Sequence, residues 1–109
     1  MDRGARIGLN EAVFREVNER ISDLGEQFGL EEQPLDLVCE CGDPKCVERI
    51  SMSRTDYERL RSDPTYFAVH SGHVQPDVED VIDRRDGYVV VRKHEGSPAE
   101  VARKTDPRS

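Results

Sequence analysis

The stretch Leu35–Met52, LDLVCECGDPKCVERISM, decides the reading of this chain. Leu35, Leu37 and Cys39 alternate with Asp36, Val38 and Glu40, the period of two that marks a strand. Gly42-Asp43-Pro44 is turn chemistry, and Val47–Met52 offers a second extended segment. The spacing therefore predicts a hairpin carrying Cys39, Cys41 and Cys46 on and around its turn. The chain has three cysteines in all, so full pairing within it is impossible. Clustering and odd number both argue against a secreted disulfide framework and for a reducing compartment. Thiols this close together suit ligation of a soft metal ion.

Zinc is the expected cofactor. In a tetrahedral site the sulfurs lie about 2.3 Å from the metal and hence about 4 Å apart, which a short turn can supply. The loop it closes is small, so little chain entropy is lost. A fourth ligand must come from elsewhere, and the histidines are His70, His73 and His94. Gly72-His73 is the first candidate because glycine lets the backbone approach closely. His70, at a strand end, is the alternative, and His94 comes last. The expected ligand set is thus Cys39, Cys41, Cys46 and His73, with His70 open as a replacement for His73. Three thiolates and an imidazole fill a tetrahedron and exclude activated water, which predicts a structural, non-enzymatic metal. Iron–sulfur ligation lacks its usual fourth cysteine. In a redox dithiol, Lys45 would lower a thiol pKa while Glu40 and Asp43 oppose it. Neither the zinc-deaminase pattern, nor a nucleophile elbow, nor a phosphate-cradling glycine loop occurs.

Upstream, Phe14, Val17, Ile21, Leu24 and Phe28 recur at spacings of three and four among charged residues. They predict an amphipathic helix over about Asn10–Phe28, capped by Asn10 and stopped at Gly29. Core packing explains the stripe over so short a heptad run, with a dimer seam as the alternative. Downstream, Ser53 with Asp56, or Thr55 with Glu58, resembles a capping box before a short helix ending ahead of Pro64, and Tyr66–His70 reads as a strand. Residues 76–85 admit two readings. Pro76, early acids and late arginines favour a helix; Asp86-Gly87 favours a hairpin pairing Ile82 with Val91 and Asp80 with Lys93. The helix is the preferred expectation. Tyr88–Arg92 is a strand in either case. The expected fold is α+β: an N-terminal amphipathic helix packed on a short antiparallel sheet with a zinc-knuckle-like hairpin. The domain runs from 10 to 94, with flexible tails at 1–9 and 95–109.

The composition limits what such a domain can do. Of 109 residues, 35% are hydrophobic and 36% charged, and tryptophan is absent. A core this meagre leaves little from which to carve a substrate pocket, and a bound metal would substitute for missing apolar contacts. The net charge of −7 repels phosphate and argues against general nucleic-acid binding. Arg84, Arg85, Arg92 and Lys93 form the one basic cluster that could meet an acidic partner or DNA. No apolar run has the length of a membrane span or the character of a signal core. The expectation is a cytoplasmic monomer or weak homodimer acting as a regulatory or protein-interaction module. The alternatives are a thiol redox or metal-responsive switch and a DNA-associated regulator.

The order CECGDPKC, YERLRSDP, Gly72-His73 and YVVVRK, preceded by FREVNERI, resembles a group of small uncharacterised bacterial proteins from high-GC genomes, over about Phe14 to Lys93. The resemblance implies that Cys39, Cys41, Cys46 and His73 belong to one pattern, and it implies no activity. The cysteine triplet is also similar to the SWIM type of zinc finger. That pattern pairs its last cysteine with a histidine two residues on, where this chain has Glu48.

Overall fold

The computed structural model describes residues 2–108. Helix α1 (Arg3–Gln27) is followed by strands β1 (Leu35–Val38) and β2 (Arg49–Met52), helix α2 (Arg54–Arg61) and strand β3 (Tyr66–Val69). A 3₁₀ turn (Ser71–His73), strands β4 (Glu79–Arg85) and β5 (Tyr88–Lys93), and helix α3 (Ser97–Lys104) complete the chain. The fold is α+β, as expected, with its antiparallel strands divided between two sheets. β1 and β2 form the anticipated hairpin, Leu35 opposite Met52 and Val38 opposite Arg49. β5 runs between β3 and β4 in the second sheet. Leu37, Ile50, Tyr57, Phe67, Val69 and Val91 lie in the shared core. Of the two caps the sequence offers for α2, Ser53 is the one used, accepting the Asp56 N–H at 3.1 Å. No helix of the described residues is long and apolar enough to cross a membrane.

Three expectations are corrected. Residues 79–85 form a strand and not a helix. Gly87 adopts a φ of 87°, which allows a tight turn after Asp86 and commits the segment to pairing with β5. A register shift between Val81 and Asp83 places Val81 opposite Val91 and Asp80 opposite Arg92, one step from the unbroken register anticipated.

Of the expected flexible tails, 1–9 and 95–109, residues 1 and 109 lie outside the described residues, and the rest largely belong to the fold, in α1 and α3. Asp2, and not Asn10, caps α1, its Oδ1 accepting the Ala5 N–H at 2.7 Å. A Cβ at Gly4 would lie 2.9 Å from Pro98 Cγ, and one at Gly8 2.9 Å from Val101 Cγ1. The two glycines, one turn apart, form a flat strip on which α3 packs, burying Ala99 and Ala102.

The third correction concerns which side of α1 faces inward. The helix turns Glu11, Arg15, Asn18, Glu19 and Ser22 toward the body of the protein. Val17, Leu24 and Phe28 of the predicted apolar stripe are exposed, as are Leu9 and Val13. Each of the buried charged side chains of α1 has partners, although Arg15 Nε is left without one among the described residues. Lys93 Nζ lies 2.7 Å from both Glu11 Oε1 and Glu79 Oε1. Arg15 donates to the carbonyls of Pro64 at 2.6 Å and Ala102 at 2.7 Å, and its guanidinium stacks 4.6 Å from the Phe67 ring centre. Glu19 accepts from the Tyr57 hydroxyl at 2.7 Å and pairs with Arg108. The interior thus combines a modest apolar core with a hydrogen-bonded layer of charge beneath α1, a layout that helical periodicity cannot distinguish from its inverse.

Candidate metal centre

The cysteine loop is held from beneath by a glutamate. Asn18 receives the Val38 N–H and donates to the Val38 carbonyl, both at 2.9 Å, fixing the end of β1. The Cys39 N–H then bonds the Glu48 carbonyl at 3.0 Å and the Glu40 N–H bonds the Ala68 carbonyl at 2.9 Å. These contacts tie the start of the loop to both sheets. The Glu40 carboxylate is fully buried, accepting from Arg61 at 2.6 Å, Asn18 at 2.7 Å and the Ala68 N–H at 3.1 Å. With Glu40 anchored in the core, the sulfurs on either side of it converge.

The rest of the turn follows from Asp43-Pro44. Asp43 accepts the Lys45 N–H on its side chain at 2.9 Å and the Cys46 N–H on its carbonyl at 3.1 Å, which brings Cys46 back toward Cys39 and Cys41. Gly42 lies under α1. A Cβ there would be 2.5 Å from Ile7 Cγ2, and the Gly42 carbonyl accepts from Asn10 at 3.0 Å.

His73 comes from the 3₁₀ turn after β3. His70 shapes that turn, accepting the Gly72 N–H on Nδ1 at 3.2 Å and the His73 N–H on its carbonyl at 2.8 Å. His94 lies elsewhere, 3.0 Å from Asp80. The ligand atoms of Cys39, Cys41, Cys46 and His73 all fall within 4.8 Å of one another. His73 Nδ1 is 3.5 Å from Cys39 Sγ and 3.4 Å from Cys46 Sγ. The corresponding nitrogen-to-sulfur edge of a tetrahedral zinc site, built from its bond lengths, is about 3.5 Å. A single thiol hydrogen bond satisfies one sulfur, whereas one nitrogen equidistant from two sulfurs is the arrangement a shared cation requires.

The electrostatics fit a cation as well. Without one, the thiols share protons: a hydrogen bond between Cys39 and Cys41 pushes the Cys39 thiol up and holds Cys41 down to about 5, and burial pushes Cys46 up. Backbone N–H groups of His70, Asp43 and Glu48 point at Cys39, Cys41 and Cys46 respectively. Three thiolates and one divalent ion carry a net charge of −1, which such donors disperse.

The basic residues considered for partner binding do not gather on one surface. Lys93 is buried between Glu11 and Glu79. Arg85 pairs with Asp83 at 2.8 Å. Arg84 stands opposite Val89 near the hairpin turn, and Arg92 stands opposite Asp80 toward the other end. Glu40, Asn18 and Arg61 are the residues that sequence reasoning missed. Glu40 reads there only as an acid beside thiols, and no local pattern links it to Arg61.

No protein-family model matches this chain, and no curated protein or solved structure is similar to it.

Proposed function

We propose that the protein is a small, non-enzymatic regulatory or protein-interaction module stabilised by Zn²⁺ held by Cys39, Cys41, Cys46 and His73. The convergence of four soft and borderline ligands, with His73 Nδ1 equidistant from two sulfurs, carries the reading. Four protein ligands complete a tetrahedron, so the metal has no open position for water and its contribution is to folding. Structural zinc in small domains contributes on the order of 10 kcal/mol, comparable with the whole stability of a domain of this size. Elemental analysis of purified protein tests it, with one zinc per chain expected and thiols that react only after chelation. A metal-free protein with freely reactive thiols and an unchanged melting temperature overturns it.

A metal-responsive or redox switch at the same site is the second reading. It is favoured by Cys46, which is only partly buried and is followed by the exposed Val47. An oxidant would reach that sulfur before the buried Cys39 and Cys41. Zinc retained through a peroxide titration removes this reading and leaves the first intact.

A further inference from the structure

The outer face of α1 has no counterpart among the described residues. Leu9, Val13, Val17, Leu24 and Phe28 are all exposed, Val13 by 62% and Phe28 by 73%. At 100° per residue they fall within about 100° of arc, on the side opposite Glu11, Asn18 and Ser22. A helix of 25 residues is about 37 Å long, so it fits only along the 41 Å dimension of this 41 × 28 × 25 Å molecule. Five of the eight large apolar side chains exposed among the described residues lie along this one edge.

The charges on that edge identify the occupant. Beyond the Asp2 cap, α1 has no acid in its first turn and no base in its last, so the charges within the helix do not complement its dipole. Arg6 stands at the N-terminal end of this face and Glu31 and Glu32 lie just beyond its C-terminal end, whereas Arg3 is already paired with Asp77 and Glu26 with Arg54. Arg6, Glu31 and Glu32 have no ion-pair partner among the described residues. A second copy of the same helix laid antiparallel neutralises both ends and opposes the two dipoles; laid parallel, it sets like charges together.

We infer that the exposed face of α1 is a homodimer interface in which two copies pair antiparallel about an axis between Asn18 and Glu19. In this register Val13 meets the partner's Leu24, Leu9 meets the partner's Phe28, and Arg6 reaches the partner's Glu31. Arg20, on the same face, crosses to the partner's Glu16. A groove of about 330 Å³ beside Leu24, Phe28, Leu30 and Leu35 receives the partner's Leu9 end. The inference gives the interaction reading its partner. It rests on the exposed face and not on the metal.

A two-helix contact of this length is at the small end of specific interfaces, so the dimer is expected to dissociate in the micromolar range. Sedimentation equilibrium of the full chain should show a reversible monomer–dimer equilibrium. Val13→Asp sets a carboxylate against the partner's Leu24 on each side of the axis and should weaken the dimer by at least about tenfold, with helix content and metal content unchanged. Arg6→Glu should also weaken it, and adding Glu31→Arg and Glu32→Arg should restore it, which a parallel pair would not do. A wild-type protein that remains monomeric at about 200 μM, or a dimer indifferent to Val13→Asp, overturns the inference and leaves the face to a partner of other chemistry. Metal content measured on the same samples reports separately on the zinc reading.

Discussion

Glu40 and Arg61 form an ion pair of 2.6 Å in which neither side chain is more than 2% exposed, and Glu40 lies directly between two of the candidate metal ligands. The pair joins α2 to the cysteine loop through the core. Removing one member leaves the other charged and buried, a loss of about 3–5 kcal/mol. Glu40→Ala is therefore expected to destabilise the protein severely. Glu40→Gln, which keeps the shape and the Ala68 contact, should leave a folded protein that releases zinc to a chelator faster than wild type. Chelator-competition kinetics on Glu40→Gln check this, and unchanged release would show that the anchor serves stability alone.

Gly42 is fixed by space. Its Cβ position is already occupied by Ile7 of α1, so Gly42→Ala must push the helix and the loop apart. Overpacking of this kind costs about 1–3 kcal/mol. The double variant Gly42→Ala with Ile7→Ala makes room for the new methyl and should recover part of the loss. A thermal melt of the two variants decides the matter, and a double variant no better than the single one would place the difficulty in the backbone.

These two contacts show what could be read from the chain and what could not. The hairpin of β1 and β2, the Ser53 cap and the grouping of the three cysteines follow from local chemistry: alternation, turn residues and ligand types close in sequence; the approach of His73, rather than His70, from the turn after β3 belongs to the tertiary level. The orientation of α1 does not. Both of its faces have helical period, one apolar and one charged, and the choice depends on Lys93, Arg54, Tyr57 and Val38 offering partners from distant segments to the charged side. Gly4 and Gly8 read as breakers in isolation and become a packing strip only once α3 is present. The segment 79–85 carried helix and hairpin signals together, and the cross-strand pairing of Glu79 with Lys93 belongs to the tertiary level.

The histidines separate ligation from local structure. His73→Ala should reduce zinc retention by orders of magnitude, since it removes the one nitrogen that bridges two sulfurs. His70→Ala removes an acceptor for the Gly72 N–H and loosens the turn that presents His73, so a smaller loss is expected. His94→Ala should have no effect on the metal. Zinc content after dialysis against a chelator ranks the three, and equal losses at His73 and His94 would exclude His73 as a ligand.

The buried Glu11 should give the protein an unusual dependence on pH. Burial pushes its carboxyl up to about 8 from 4.5, with the negative field of Glu79 adding to burial and Lys93 opposing both. The folded chain therefore keeps a proton that the unfolded chain releases. The resulting stability is fully present below about pH 4.5 and is lost as pH rises through about 8, with a slope of at most about 1.4 kcal/mol per pH unit. Zinc ligation acts in the opposite direction, because thiolates form more readily as protons become scarce. The difference between wild type and Glu11→Gln at saturating zinc isolates the carboxyl, since the amide cannot ionise and still offers Lys93 an oxygen. Melting temperatures of the two proteins should diverge in favour of Glu11→Gln as pH is raised from about 5.5 to about 8. Parallel curves over that range would mean that Glu11 is ionised throughout and that Lys93 compensates both carboxylates at once.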